Sequence, residues 1–171
     1  HQLMETVQGV RRYYPARGGV PEKVRACVMK GYLLILDEIQ CGMGRTGYMY
    51  AWQRYGVKPD IMTTAKALAA AFGGRIPDDG KVGAHSLTSG DHGTTYGGNP
   101  LACAAVSKFL IIEKDNIIDN VRQVGAYLEE KLAALVDNYD FIEAHRGVGL
   151  MQGLVFSIPV GDIISRALEK G

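Results

Sequence analysis

Two acids in succession, Asp37 and Glu38, close an aliphatic run, and Lys66 follows the next short apolar run, Ile61 to Thr64. A carboxylate just beyond a strand can hold a metal, act as a base or pair with a cationic ring. It can equally cap a helix or sit solvated in a loop. A lysine that attacks a carbonyl must be neutral at least transiently, and a partly desolvated crevice favours this by lowering its pKa. Most lysines, however, are merely solvated. A third segment, GDHGTTYGGNP, offers the hydroxyls of Thr94 and Thr95 and several unhindered amides just before a helix, which suits a phosphate group. A plain helix-entry turn has the same composition. His85, His92 and His145 show no spacing that would build a metal site, and ordinary hydrogen bonding accounts for them.

Whether the acid and the amine meet depends on the elements that carry them. Leu3 to Val7 is a short apolar run, Pro21 to Lys30 has helical spacing at Val24, Cys27 and Val28, and Leu33 to Leu36 is purely aliphatic. Strand, helix, strand is the natural parse. A strand apolar on both faces belongs inside a covered parallel sheet, so an α/β layer fold is expected. Gly47 to Tyr55 then reads as a helix that stops at Gly56, and Ile61 to Thr64 as the next strand. Ligands of open α/β sheets bind beyond the carboxyl ends of the strands, and both Asp37 and Lys66 would lie there.

Downstream, Asn99 can cap a helix with Pro100 in its first turn, continuing through LACAAVSKFLIIE. That segment is apolar nearly all round, which predicts burial. Apolar residues from Ile117 to Val136 recur every three or four positions and predict a long amphipathic helix. Phe141 to Ala144 and Leu150 to Phe156 read as strands about a turn at Arg146 to Gly149, and Asp162 to Lys170 as a further helix. The α/β pattern gives way to helix plus hairpin near Glu113, so two parts, 1–113 and 114–171, are expected.

Composition narrows the function classes. The 19 basic and 18 acidic residues are mixed along 171 positions, leaving a net charge of +1 and no block to attract nucleic acid or an anionic membrane. No apolar run approaches the roughly 20 residues that cross a bilayer. The opening HQLMETVQ lacks the regions of a signal peptide, which makes a cytoplasmic address the default expectation. Cys27, Cys41 and Cys103 are an odd number without CxxC spacing and read as buried free thiols.

Taken in order, LLILDEIQCGMGRTGYMYAWQRYGVKPDIMTTAKAL, GDHGTTYGGNPLACAA and RGVGLMQGLVF resemble the class III aminotransferases, especially the acetylornithine aminotransferases. The resemblance implies a fold type I enzyme dependent on pyridoxal 5'-phosphate (PLP). It implies part of the large PLP-binding domain in 1–113 and part of the small C-terminal domain in 114–171, the whole corresponding to only the middle of a family subunit. By that match Asp37 pairs with the pyridine nitrogen, Gln40 faces the phenolic oxygen, and Lys66 forms the Schiff base and shuttles the proton. Thr95 matches the residue that binds the cofactor phosphate across a homodimer interface, and Thr94 a neighbouring substrate contact. The reaction implied is transfer of an amino group from N2-acetylornithine to 2-oxoglutarate in arginine biosynthesis. Relatives that use ornithine, succinylornithine or 4-aminobutyrate, another PLP reaction on the same scaffold, and a non-catalytic remnant are the alternatives.

Two stretches depart from the family. METVQGVRRYYPA stands where the family reads like EPVQGEGGVYPA, so Val10 replaces an acid that helps select substrate. After Lys66 the family's GGGxPxGA is replaced by AAAFGGRIPDDGKVGA, while the distance from Lys66 to His92 is unchanged from the family. Whole-segment replacement at preserved length is the pattern that local frameshifts leave. The bulk of Ala69 to Phe72 beside the lysine is expected to crowd a cofactor, since glycine permits approaches that alanine does not.

Overall fold

The computed structural model describes residues 2–8, 14, 15, 24, 26, 30–66, 74–77, 90, 93, 95, 97–109 and 115–171. Three strands run parallel: β1 (Gln2–Glu5) beside β4 (Leu34–Asp37), and β4 beside β5 (Ile61–Thr64). The intervening β2 (Val7–Gln8) and β3 (Tyr14–Pro15) form their own antiparallel pair. A fourth strand of the main sheet, β6 (Gly74–Pro77), runs antiparallel to β5 and falls in a stretch to which the sequence assigns no element. Of the described residues of the expected first helix, Val24 and Ala26 are helical and Lys30 is in a turn.

The aliphatic run is central, as expected, but it is not equally covered. Leu34 and Leu36 point to a face that also takes Val24 and Val57, with Met4, Trp52 and Tyr55 packed against it. Each such leucine contributes about 1.5–3 kcal/mol by leaving water. Leu3, Ile35 and Ile61 share the opposite face in register, and there Leu3 is 68% exposed while Ile35 and Ile61 are half-buried. Among the described residues a helical layer covers only one side of the sheet. Asp60 fixes the start of β5 against β4: its carboxylate accepts the Leu34 N–H at 2.7 Å and its own N–H donates to the Leu34 carbonyl at 2.9 Å.

The helix expected over Gly47 to Tyr55 is confined to α1 (Trp52–Tyr55). Upstream of it Gly44 and Gly47 take positive φ and close turns through Gly44 N–H to the Met49 carbonyl and Gly47 N–H to the Gly44 carbonyl. That geometry winds the chain as a loop where periodicity alone suggested a helix. Gly56 ends α1 in the left-handed region at φ 60.

Asn99 caps α2 (Pro100–Phe109), its Oδ1 accepting the N–H groups of Leu101 and Ala102 at 3.0 and 3.2 Å. The expected burial of this helix is not found. Leu101 is 81% exposed, and Cys103, Ala104 and Ala105 are exposed too, because nothing among the described residues lies against them. Cys41 is buried as expected, Cys103 is not, and Cys27 lies outside the described residues.

The long amphipathic helix is α3 (Ile117–Asn138). Val121 and Gly125 are its buried residues, and its first half is tied down by Arg122, whose Nε donates to the Gly47 carbonyl at 2.8 Å and whose guanidinium lies over the Tyr48 ring. β7 (Ile142–Val148) and β8 (Met151–Phe156) form the hairpin, followed by α4 (Gly161–Glu169). The turn is displaced from its expected place. Arg146 and Gly147 are strand residues paired with Gly153 and Gln152, and the loop is Gly149 and Leu150. A two-residue hairpin loop needs a positive φ at its first position to match strand twist, and Gly149 supplies φ 58.

Candidate active site

In-register pairing of β1, β4 and β5 sets Glu5, Asp37 and Thr63 side by side at the carboxyl edge of the sheet. Lys66 comes three residues after Thr63, so no more than about 10 Å of chain separates it from Asp37's neighbour. Lys66 is exposed and sits in the left-handed region at φ 55. For a residue with a Cβ this costs roughly 1–2 kcal/mol, a strain that concentrates at functional positions.

Beside Lys66 opens a cavity of about 210 Å³ with three walls. The loop that follows β4 gives Ile39, Gln40, Gly42, Met43 and Arg45; the end of β5 gives Lys66; the hairpin gives Leu150, Met151 and Gln152. Of the residues singled out from the sequence, Gln40 and Lys66 are thus brought together. Asp37 lies at the same sheet edge, half-buried, but is not among the lining residues. Its Oδ1 accepts the Ile39 N–H at 2.9 Å, and no donor among the described residues reaches Oδ2. Thr95 is exposed and is not among the lining residues, and Thr94 lies outside the described residues, as do Val10 and Ala69 to Phe72.

Arg45, Met43 and Gln152 line the site without having been singled out. The glycine-rich GMGRTG follows the expected strand, and nothing in its sequence indicates which side chains face a cavity. Gln152 is oriented at both ends: its Nε2 donates to the Gly149 carbonyl at 2.9 Å and its Oε1 meets the ring Nε2 of His145. The hairpin wall is clamped on its far side. Leu150 N–H donates to the Arg45 carbonyl at 2.9 Å, a Cβ on Gly149 would come within 2.6 Å of Thr46 backbone, and a Cβ on Gly125 of α3 within 2.9 Å of Gly149. Val7, Cys41, Ala51, Val148 and Met151 form one apolar cluster beneath. The hairpin and the sheet edge are therefore one packed unit at this point.

Beneath the loop, Glu38 is 0% exposed. Burial, and after it the charge of Glu38, pushes the Cys41 thiol well above its usual range, and the same two causes raise Tyr50.

The donor set has a definite chemical character. Lys66 and Arg45 put two cations at one polar cavity, which favours an anionic ligand. Gln40 and Gln152 offer amides, and Asp37 an incompletely engaged carboxylate. A phosphorylated pyridine aldehyde needs an amine for its aldehyde, a donor for its ring oxygen and an anion for its ring nitrogen, and Lys66, Gln40 and Asp37 fit those needs in kind. Among the described residues no phosphate cradle adjoins them. Among the same residues no cluster of His, Cys, Asp and Glu could hold a metal ion, and no helix is long and apolar enough to cross a membrane.

Comparison with known proteins bears directly on this site. The model of the aminotransferase class III family matches residues 2–171. The acetylornithine aminotransferase of Methanocaldococcus jannaschii is 45% identical over 175 residues, covering 99% of this chain and 43% of that protein. Among solved structures, an ornithine aminotransferase from Toxoplasma gondii with partial occupancy of PLP at its active site superposes with a TM-score of 0.88 at 30% identity, over 99% of this chain and 41% of that one. The taurine:2-oxoglutarate aminotransferase of Bifidobacterium kashiwanohense, in complex with PLP and glutamate, superposes at 0.83 with 29% identity, over 98% and 42%. The chain spans about 43% of the length of the curated relative.

Proposed function

The chain belongs to the class III aminotransferases, a family whose cofactor is pyridoxal phosphate, and we propose that it carries the part of such an enzyme that anchors the cofactor through Lys66. The observation that carries the reading is the Lys66 amine, held by a left-handed backbone at the mouth of a polar cavity shared with Gln40. When bound, PLP supplies an electron sink for the carbanion left when an amino acid loses its α proton. Lys66 Nζ is the amine that would join the cofactor's aldehyde carbon and carry the proton to and from the α carbon. Asp37 would keep the ring nitrogen protonated through its Oδ2, and Gln40 would donate its amide to the ring oxygen. Thr95 would hold the phosphate of a cofactor in a partner copy, with Thr94 near substrate, in a homodimer.

The reaction proposed is transfer of the amino group of N2-acetylornithine to 2-oxoglutarate, in arginine biosynthesis and in the cytoplasm. The match to acetylornithine aminotransferases over 99% of the chain supports it. A division into large-domain and small-domain parts near Glu113 belongs to the same reading.

The test is to add PLP to the chain, follow visible absorbance, reduce with borohydride and locate the label by mass spectrometry. A phosphopyridoxyl group on Lys66, absent in Lys66→Ala, is the expected result. A folded chain that acquires no label at Lys66 ends the reading. Turnover assays with N2-acetylornithine, ornithine, succinylornithine and 4-aminobutyrate then separate the donors, and a label without turnover marks a non-catalytic, cofactor-holding remnant.

A further inference from the structure

Glu38 takes no part in the roles proposed above, yet it is the most completely enclosed acid among the described residues. Both its oxygens are doubly engaged. Oε1 accepts the Thr6 hydroxyl at 2.9 Å and the Trp52 N–H at 2.8 Å; Oε2 accepts the Ala51 N–H at 2.9 Å and the Cys41 thiol at 3.1 Å. Its backbone is committed as well, its N–H donating to the Thr63 carbonyl and its carbonyl accepting the Gly42 N–H, each at 3.0 Å. The side chain thereby joins the end of β1, the loop after β4 and the start of α1, and the backbone of the same residue adds the end of β5.

We propose that Glu38 is a positioning residue for the cofactor site, its buried carboxylate setting the path of the loop that carries Gln40, Met43 and Arg45 into the cavity. The argument is geometric. The loop leaves β4 at Glu38 and is gathered back to Glu38 at Ala51 and Trp52, so both of its ends are fixed to one group. Five of the cavity's lining residues, Ile39, Gln40, Gly42, Met43 and Arg45, lie between those two points. A Cβ on Gly42 would come within 2.7 Å of the Glu38 carbonyl, so the loop also presses closely on its anchor. Two of the four donors are backbone amides, which have no other acceptor among the described residues if this one is lost. A glutamine of the same volume cannot replace it, because its NH2 would face donors where an oxygen now accepts.

This inference rests on the functional reading above, and the experiment keeps the two apart. The full chain is compared with Glu38→Gln, with Thr6→Val as a milder variant that removes one donor, and with Leu34→Ala as a control for general loss of stability. PLP affinity is read by absorbance titration, and amide hydrogen exchange at Ala51 and Trp52 by NMR or mass spectrometry. Glu38→Gln is expected to weaken PLP binding about tenfold and to speed exchange at both amides about tenfold, the scale set by losing a charged acceptor. Thr6→Val moves both in the same direction by less, and Leu34→Ala, although less stable, keeps its affinity within about twofold. Unchanged exchange at Ala51 and Trp52 in both Glu38→Gln and Thr6→Val overturns the proposal. So does unchanged affinity in a faster-exchanging Glu38→Gln, or a loss of affinity in Leu34→Ala as large as in Glu38→Gln. If the unaltered chain takes up no PLP, the functional reading fails by itself, and the exchange measurement alone decides whether Glu38 holds the loop.

Discussion

The loop around Glu38 and the helix α2 are both introduced by an oxygen-bearing side chain that accepts backbone N–H groups, and they differ in everything else. At Glu38 the acceptor is buried and receives four donors, three of them 13 to 32 residues away along the chain, and the wall it supports is locked by Gly149 against Thr46 and by Arg122 against Gly47. At Asn99 the cap serves its own helix, whose Leu101, Cys103, Ala104 and Ala105 are exposed. Local signals suffice to start a helix. Only long-range contacts make a segment part of the structure's cooperative unit.

That contrast can be broken from the packed side first. Gly149→Ala places a Cβ against Thr46 backbone at a residue of φ 58, and is expected to cost about 2–4 kcal/mol from overpacking and left-handed strain combined, read by denaturant unfolding. A loss under about 1 kcal/mol would show that the hairpin wall is not fixed at this point. The second test is alkaline. Cys41 has its folded pKa raised above the ordinary value of 9.0, so its contribution is intact below that pH and is lost as pH rises beyond it. One pH unit above 9.0 the cost is about 1.4 kcal/mol, and Cys41→Ala should remove that pH dependence; Tyr50, raised from 10.0, adds in the same direction higher up. The smallest effects belong to α2. Asn99→Ala should cost about 1 kcal/mol of helix stability, and Leu101→Ala should fall within about 0.5 kcal/mol of no change, since there is little burial to lose.

The same contrast explains what could be read in advance. Leu33 to Asp37, Ile61 to Lys66, the Asn99 cap and the helix from Ile117 are set by local composition and periodicity, and the structure has them in place. The plain reading of the acidic pair as a helix cap describes Glu38, which accepts the N–H groups of Ala51 and Trp52 at the start of α1, while Oδ2 of Asp37 meets no donor among the described residues. What escaped the sequence was settled at a distance. The hairpin turn falls at Gly149 because that glycine fits under Thr46, a contact between positions about a hundred residues apart along the chain. Gln152 became a lining residue through His145 and Gly149, and no spacing rule connects it to Lys66. α2 was expected to be buried because its composition is apolar, and composition carries no information about whether a covering layer is present.

β6 has a mechanical meaning for the amine. It returns antiparallel along β5, so that Gly74 pairs with Thr64, two positions before Lys66. Lys66 therefore follows, by two residues, a rung closed on its far side by another strand, like a lever set close to its bolt. A short lever moves its tip little, so the Lys66 backbone stays close to the sheet edge that the pairing of Thr64 defines.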